Sequence, residues 1–430
     1  MPSRRNPSRP PRVRLHSRLA ALLPRDVRGA RMSRLTDVDI DVVVAGGGPA
    51  GSTTARRLAQ LGHSVTLVER RTFPRPHIGE SLSPGVWVHF ATLGITERIA
   101  SAGFRLSSTT LLRWRGETER IVSDKPSLIV DRALFDALML DAARDAGVEI
   151  VFGISIPRAR FFVDATGRAN FSRRKRRFTA PRVIAWHTRW QGEDFPDETV
   201  VERCGDSWMW GTKLPDGTFS TLAFGNPSLK FNFLASPIAP PHAFDATPYV
   251  CDSPIDATSA AVGEAAFAID PISSSGVQAA IGSGITAAIA IHTILERPSN
   301  AEAAIRFYTS HVQRVSSQHM KWTTDAYSGE PDSNELPNIA NDAIVATNRD
   351  AQVIAPTIRG DFVELEPAIR TASGRDVAYL GGTPLAPLIA SLPARTPAHA
   401  IVDQWSNTIP RPHATAVLSW LVAEGVMHVV

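Results

Sequence analysis

Gly46, Gly48 and Gly51 stand at the spacing that lets a backbone close on a pyrophosphate, and Glu69, about 20 residues further on, can hold a ribose hydroxyl pair. The chemistry such a set performs is the binding of a dinucleotide. Gly46 permits the tight turn, Gly48 leaves room for the phosphates beside Ala50, and Gly51 lets a helix close on a sheet. Those residues need elements to position them, and the flanking pattern supplies them. The β-branched run 42–44 reads as a buried strand, 52–61 has helical spacing until Gly62, and 65–68 is a second strand ending on Glu69. The helix N-terminus adds unpaired N–H groups and positive potential for an anion.

A chain of 430 residues, 43% hydrophobic and 20% charged, has room for two or three domains and the composition of a globular enzyme. Two cysteines, Cys204 and Cys251, make no disulfide framework, and no His/Cys cluster has metal-ligand spacing, so no metal is expected and a reducing cytoplasm is. The formal net charge of +4 is local: taking away the nine arginines and one aspartate of residues 1–31 leaves −4. That arm, 1–31, lacks the apolar stretch of a secretory signal. It reads as a disordered arm, as an organelle-targeting segment, or as residues upstream of the true start at Met32, which sits a few residues before the first strand. The last reading is favoured.

Residues 70–85 hold three prolines, two glycines and four basic or imidazole side chains around Glu80, which makes them a loop. Such a loop is either a solvated connection or a cover laid against a cofactor. Val68-Glu69-Arg70 followed by Gly79-Glu80-Ser81-Leu82-Ser83-Pro84 resembles the FAD-dependent oxidoreductase superfamily of flavoprotein aromatic hydroxylases (group A), tryptophan halogenases and geranylgeranyl reductases. The resemblance implies that this loop lies beside the isoalloxazine. Asp131-Arg132, before a helix at 130–147, resembles the superfamily's arginine that reaches the FAD; read alone, Arg132 is a surface cation.

Two further segments carry the resemblance. Asp164-Ala165-Thr166-Gly167, after an apolar strand at 159–163, is similar to the segment that runs along the dinucleotide near the pyrophosphate. Gly263-Glu264, then Asp270-Pro271 leading to Gly276-Val277, is similar to the segment that holds the ribityl chain and brings a helix N-terminus to the flavin's pyrimidine edge. Glu264 replaces the commoner aspartate. The passages 153–162 and 226–259 are shorter than in members of the superfamily.

A helix at 87–99 and strands at 111–114, 119–122 and 148–152 complete the first half. The five cations Arg173 to Arg177 read as a solvated loop, with an anion site for a nicotinamide cofactor or an acidic partner as the alternative; without interleaved aromatics they do not point to nucleic acid. Alternating segments at 183–190, 199–203, 208–214 and 218–224 predict an antiparallel sheet over the flavin. Within it, Trp208 and Trp210 resemble the Trp-x-Trp region of flavin halogenases, though with a wider spacing to Pro215; ordinary sheet packing explains them equally well. No lysine occurs between Val86 and Arg105, where a halogenase's catalytic amine is expected.

Residues 277–295 contain no Asp, Glu, Lys or Arg, but their scattered polar positions argue for a buried helix and against a membrane span. A further helix at 301–327 precedes short apolar pieces broken by prolines, a small α+β module of winged-helix-like pattern.

The expected architecture is α/β, α+β in part: a Rossmann-like FAD-binding domain (38–105, 130–180, 260–330 within 32–330), an interleaved antiparallel substrate-side domain (106–129, 181–259) and a C-terminal module (331–430). The resemblance implies an FAD-dependent monooxygenase acting through a flavin C4a-hydroperoxide, reduced by NAD(P)H or by a separate flavin reductase. Its substrate would be an aromatic small molecule or a tryptophan-containing protein or peptide, because Gly263-Glu264-Ala265-Ala266 and Asp270 to Val277 look most like the monooxygenases of tryptophylquinone cofactor maturation. A halogenase, a geranylgeranyl-reductase-like enzyme and an inactive flavin-binding partner protein remain alternatives, and no catalytic base is assigned.

Overall fold

Strand Val42–Ala45 is buried at every position, as a β-branched run in a sheet covered on both faces must be. It pairs in parallel with Val65–Glu69 on one side and Phe161–Asp164 on the other. Glu149–Phe152 and Ser259–Ala261 extend this five-stranded parallel sheet at its two edges. The computed structural model describes residues 40–114, 116–226, 228–229, 231, 235–328 and 336–430, so the arm 1–31 and Met32 lie outside the described residues.

Helix Pro49–Gln60 packs against Arg132–Asp145 and against Gly276–Glu296. The second contact is close: a Cβ on Gly284 would sit 2.8 Å from the Ala50 carbonyl oxygen. Gly276–Glu296 is long and apolar enough to cross a bilayer by length and composition. In the fold its run from Ala287 to Ile294 is buried in the main core with Tyr308 and Val312 of helix Ala301–Ser328.

The helix expected at 87–99 is two helices, Val86–Leu93 and Thr96–Ala100. Gly94 takes the left-handed conformation at φ 65° and closes the first one, the role glycine fills after a helix C-terminus. The strands expected at 111–114 and 119–122 belong to a longer hairpin, Arg105–Trp114 with Glu117–Ile129.

That hairpin joins a second sheet that runs from Ala235–Pro237 through Ile184–Gly192, Phe219–Phe224, Ser207–Lys213, Thr199–Cys204 and the hairpin to Ser81–Leu82. Its pairs are antiparallel except Thr199–Cys204 with Arg105–Trp114. Alternation sorts its two faces: Met209, Phe219 and Phe231 fill one core, and Trp208, Trp210 and Phe224 another.

The cationic run alternates too. Arg174 reaches Asp256 at 2.8 Å, and Arg176 donates to the carbonyls of Arg168 and Gly167, while Arg173, Lys175 and Arg177 are exposed.

In the C-terminal region, helices Leu385–Ala390, Ala398–Trp405 and Arg411–Ala423 pack around buried Trp405, beside a three-stranded sheet of Ile344–Thr347, Arg395–Pro397 and Met427–Val429. The hairpin Gln352–Arg359 with Phe362–Arg370 ties this region to the main core. Val363 is itself a core residue, and its N–H donates to Thr293 Oγ1 at 2.9 Å. Residues 40–430 form one compact unit.

Candidate functional site

The glycine turn shows three different constraints. Gly46 has φ 108°, and a Cβ there would lie 2.4 Å from the Ala165 carbonyl oxygen. On Gly51 a Cβ would lie 1.9 Å from the Gly46 oxygen and 2.9 Å from Ala165 Cβ, so both positions are closed by the protein itself. Gly48 differs: its φ of −73° suits any residue, and the nearest atom to its Cβ position is Arg75 Nη2 at 3.7 Å. The open space at Gly48, in front of the helix N-terminus, has the room and the polarity that suit a pyrophosphate. Arg75 adds a second sign of fit, because its Nε is buried without a hydrogen-bond partner.

Glu69 closes the same end. Buried at the strand terminus, it accepts from the Gly47 N–H at 2.7 Å and the Arg71 N–H at 2.8 Å, which aims its carboxylate beside the glycine turn. Arg70 is exposed next to it. Gly263, at φ 56°, approaches from the other side; its Cβ would lie 2.7 Å from that of Ala50.

At the other end, Gly79, Glu80 and Ser81 meet Arg132 and the N-terminus of helix Gly276–Glu296. Arg132 is buried and forks onto Asp136 at 2.9 and 3.1 Å, while its Nη1 donates to the Ile78 carbonyl. A Cβ on Gly79 would lie 2.9 Å from that Nη1 and 3.7 Å from Val277 Cγ2. Ser83 donates to the Gln278 side chain, joining the loop to the helix. Asp270 caps the turn Pro271–Ser273 by accepting from Ile272 N–H at 2.9 Å, and burial pushes its carboxyl above the ordinary range against that bond. Ile272 packs with Trp208 and Trp210, so the Asp270-Pro271 turn and the tryptophan face of the sheet meet.

Two expected carboxylates serve other partners. Asp164 is fully buried, and its carboxylate is saturated by Thr166 and Ser172, each through N–H and hydroxyl at 2.7 to 3.0 Å. It ties its own loop, and the Ala165 carbonyl of that segment packs against Gly46. Glu264 is half-exposed and paired with Arg168 at 3.1 Å. Gly167, at φ 65°, sits next to it.

One cluster joins Glu80 of the expected loop to two strand residues that no motif had pointed to. Glu80 Oε1 accepts from Ser220 Oγ at 3.1 Å; Ser220 Oγ lies 3.0 Å from His187 Nε2, and Nε2 is 3.5 Å from Glu80 Oε1. Burial opposes charge on Glu80, yet the imidazole and these hydrogen bonds outweigh it and hold the carboxyl below its usual range. His187 and Ser220 lie on the sheet face that carries Trp208 and Trp210, because His187 pairs with Leu222 and Leu222 with Trp210. The strand register is what brings these residues together. Trp208 stacks on Phe224 with centroids 3.9 Å apart.

Among the described residues no group of His, Cys, Asp and Glu has metal-binding geometry. A five-stranded parallel sheet with a glycine turn after its first strand, beside a mostly antiparallel second sheet, has the architecture of FAD-dependent oxidoreductase folds. The tryptophan halogenase family model matches residues 41–124. The tryptophan 2-halogenase of Chondromyces crocatus is 29% identical over 337 residues, 62% of this chain and 64% of that protein. A flavin-dependent halogenase of Armillaria mellea is 32% identical over 144 residues, 32% of this chain and 29% of its own length. The chain thus spans less than two thirds of the curated relatives it matches first. Among solved structures, a peptidyl tryptophan dihydroxylase essential for tryptophylquinone cofactor biogenesis superposes with TM-score 0.67 at 22% identity, covering 90% of this chain and 100% of that one. The flavin-dependent halogenase CmlS gives TM-score 0.76 at 18% identity over 91% and 96%. The chain is thus similar in sequence to flavin-dependent halogenases, and its fold matches both a halogenase and a peptidyl tryptophan dihydroxylase.

Proposed function

We propose that the protein is an FAD-dependent monooxygenase that hydroxylates an electron-rich aromatic ring, with the tryptophan side chain of a protein or peptide as substrate. The observation that carries this reading is the face opposite Glu80. Trp208, Trp210 and Leu222 pack in a core on the sheet face that ends in the His187–Ser220–Glu80 cluster, a polar corner that suits the N–H or O–H of an aromatic ring. FAD, when bound and reduced, supplies the electrons that activate dioxygen.

The chain's own residues have separable tasks. Gly46, Gly48, Ala50 and Gly51 with Arg75 hold the pyrophosphate, and Glu69 the adenosine ribose. The loop Gly79–Ser81, ordered by Arg132, and the turn Asp270–Pro271 leading to Gly276 and Val277 frame the ring system, where the helix N-terminus favours negative charge. The packed tryptophan face backs the Glu80 corner and keeps water from it. Reducing equivalents come from NAD(P)H or from a separate flavin reductase. A cytoplasmic setting fits Cys204 and Cys251, which are both free thiols.

Halogenation is the second reading, favoured by the names of the relatives matched by sequence. Against it, the residues around Glu80 offer an imidazole and no lysine amine, and 86–105 contains none. A tryptophan-containing peptide, FAD, a flavin reductase and dioxygen, with and without chloride or bromide, separate the readings by product mass. Oxygen addition independent of halide supports hydroxylation, halide-dependent replacement supports halogenation, and flavin binding without turnover supports an inactive binding protein. A geranylgeranyl-reductase-like enzyme reduces its substrate without taking up oxygen.

A further inference from the structure

We infer that His187 is the proton acceptor for the substrate's ring N–H or O–H, and that Ser220 and Glu80 fix the tautomer that makes it one; the inference rests on the monooxygenase reading. The hydrogen-bond order follows from donor counting. Glu80 is held ionised, so it only accepts. Ser220 Oγ, 3.1 Å away, therefore spends its single proton on Oε1. The remaining short contact, 3.0 Å from Ser220 Oγ to His187 Nε2, then needs a proton on Nε2. In a neutral imidazole that leaves the lone pair on Nδ1. Among the described residues Nδ1 has no hydrogen-bond partner, and the side chain keeps 17% of its surface open.

The placement suits an aromatic substrate. His187 stands on the same sheet face as Leu222 and Trp210, at the margin of their core, where its imidazole stays partly open for the edge of an incoming ring. As a ring carbon is attacked by an electrophile, the ring's N–H or O–H becomes acidic. That bond breaks, its electron pair stays on the ring, and the proton forms a new bond to Nδ1. The imidazolium so formed is stabilised through Ser220 by the Glu80 carboxylate. The charged and titratable groups nearby are Glu80 from the loop, Arg189 on the same strand, occupied by Asp216 at 2.7 Å, and His242 on the paired strand.

Nitrogen-15 spectra of the imidazoles in the FAD-loaded wild-type protein test the tautomer without relying on turnover. Protonation on Nε2 of His187, becoming a mixture in Ser220→Ala, is the expected result; protonation on Nδ1 in the wild type overturns the inference by itself. The second measurement is the pH profile of oxygen incorporation. His187→Asn should bind FAD as the wild type does, lose about 10²-fold or more in rate, lose the acid limb of the profile and regain rate with added imidazole. An unchanged rate and acid limb in His187→Asn overturns the inference while the monooxygenase reading stands. A wild type that adds no oxygen to any aromatic overturns both.

Discussion

Two alanine substitutions three residues apart should separate what the glycine turn does for the fold from what it does for the ligand. At Gly48 the backbone is ordinary, φ −73° and ψ −178°, and a methyl meets nothing closer than 3.7 Å. Gly48 precedes helix Pro49–Gln60, where alanine is a poorer cap than glycine by roughly 0.5–1 kcal/mol. Removing a glycine also restricts the unfolded chain, which returns about 0.4–1 kcal/mol. The two effects cancel, so Gly48→Ala should keep the stability of the FAD-free protein within about 0.5 kcal/mol. Its methyl stands where phosphate oxygens must approach, and overfilling costs about 1–3 kcal/mol, which is roughly 5- to 150-fold in the Kd for FAD. At Gly51 the methyl would lie 1.9 Å from a backbone oxygen. An ordinary contact is about 3.5 Å, so helix and turn must separate by more than about 1 Å, and Gly51→Ala should lose about 3 kcal/mol or more before any ligand is added. Urea unfolding of the FAD-free proteins and fluorescence titration with FAD measure both quantities. Wild-type FAD affinity in Gly48→Ala, or wild-type stability in Gly51→Ala, would refute the cradle.

Other expectations follow from buried groups. Asp136→Ala strips buried Arg132 of its forked partner and should cost about 3–5 kcal/mol in urea unfolding. His311 is pressed from the usual 6.5 to about 4 by burial first, then by Arg314, whose guanidinium donates to its Nδ1 at 3.2 Å, and by His89. Because the folded value is the lower one, the unfolded chain takes up the proton first. Stability is complete above about pH 6.5 and falls toward pH 4 by roughly 3 kcal/mol, and His311→Gln should flatten that slope in pH-dependent unfolding. Tyr308→Phe leaves the Ala261 carbonyl, now 2.8 Å from the phenol, without its donor; a loss of about 1 kcal/mol is expected by thermal unfolding.

The sequence was most informative where the chemistry is local. Strand, turn and helix from Val42 to Gln60 can be read from one run of residues, because the β-branched stretch, the glycines and the helical spacing each act over a few positions. Gly94 was legible in principle as a helix stop, but the apolar spacing on either side of it reads as continuous helix. The site was less legible, because its partners are distant in sequence. Nothing near Glu264 announces Arg168, and nothing near Asp164 distinguishes a carboxylate that holds its own loop from one that faces a ligand. His187, Ser220 and Glu80 come together only through the register of Ile184–Gly192 with Phe219–Phe224 and the fold of the loop before Ser81. The arginine run shows the same limit: its two inward members are chosen by the carbonyls and carboxylate that surround them.

The central claim is oxygen transfer to an aromatic ring in an FAD site, and labelled dioxygen tests it most directly. The protein is reconstituted with FAD, supplied with a flavin reductase and NADH, and given a tryptophan-containing peptide under oxygen-18 gas with chloride and bromide present. The account predicts flavin absorbance that stays with the protein and labelled oxygen on the indole. A halogenated peptide without labelled oxygen, or a protein that retains no flavin, would contradict it.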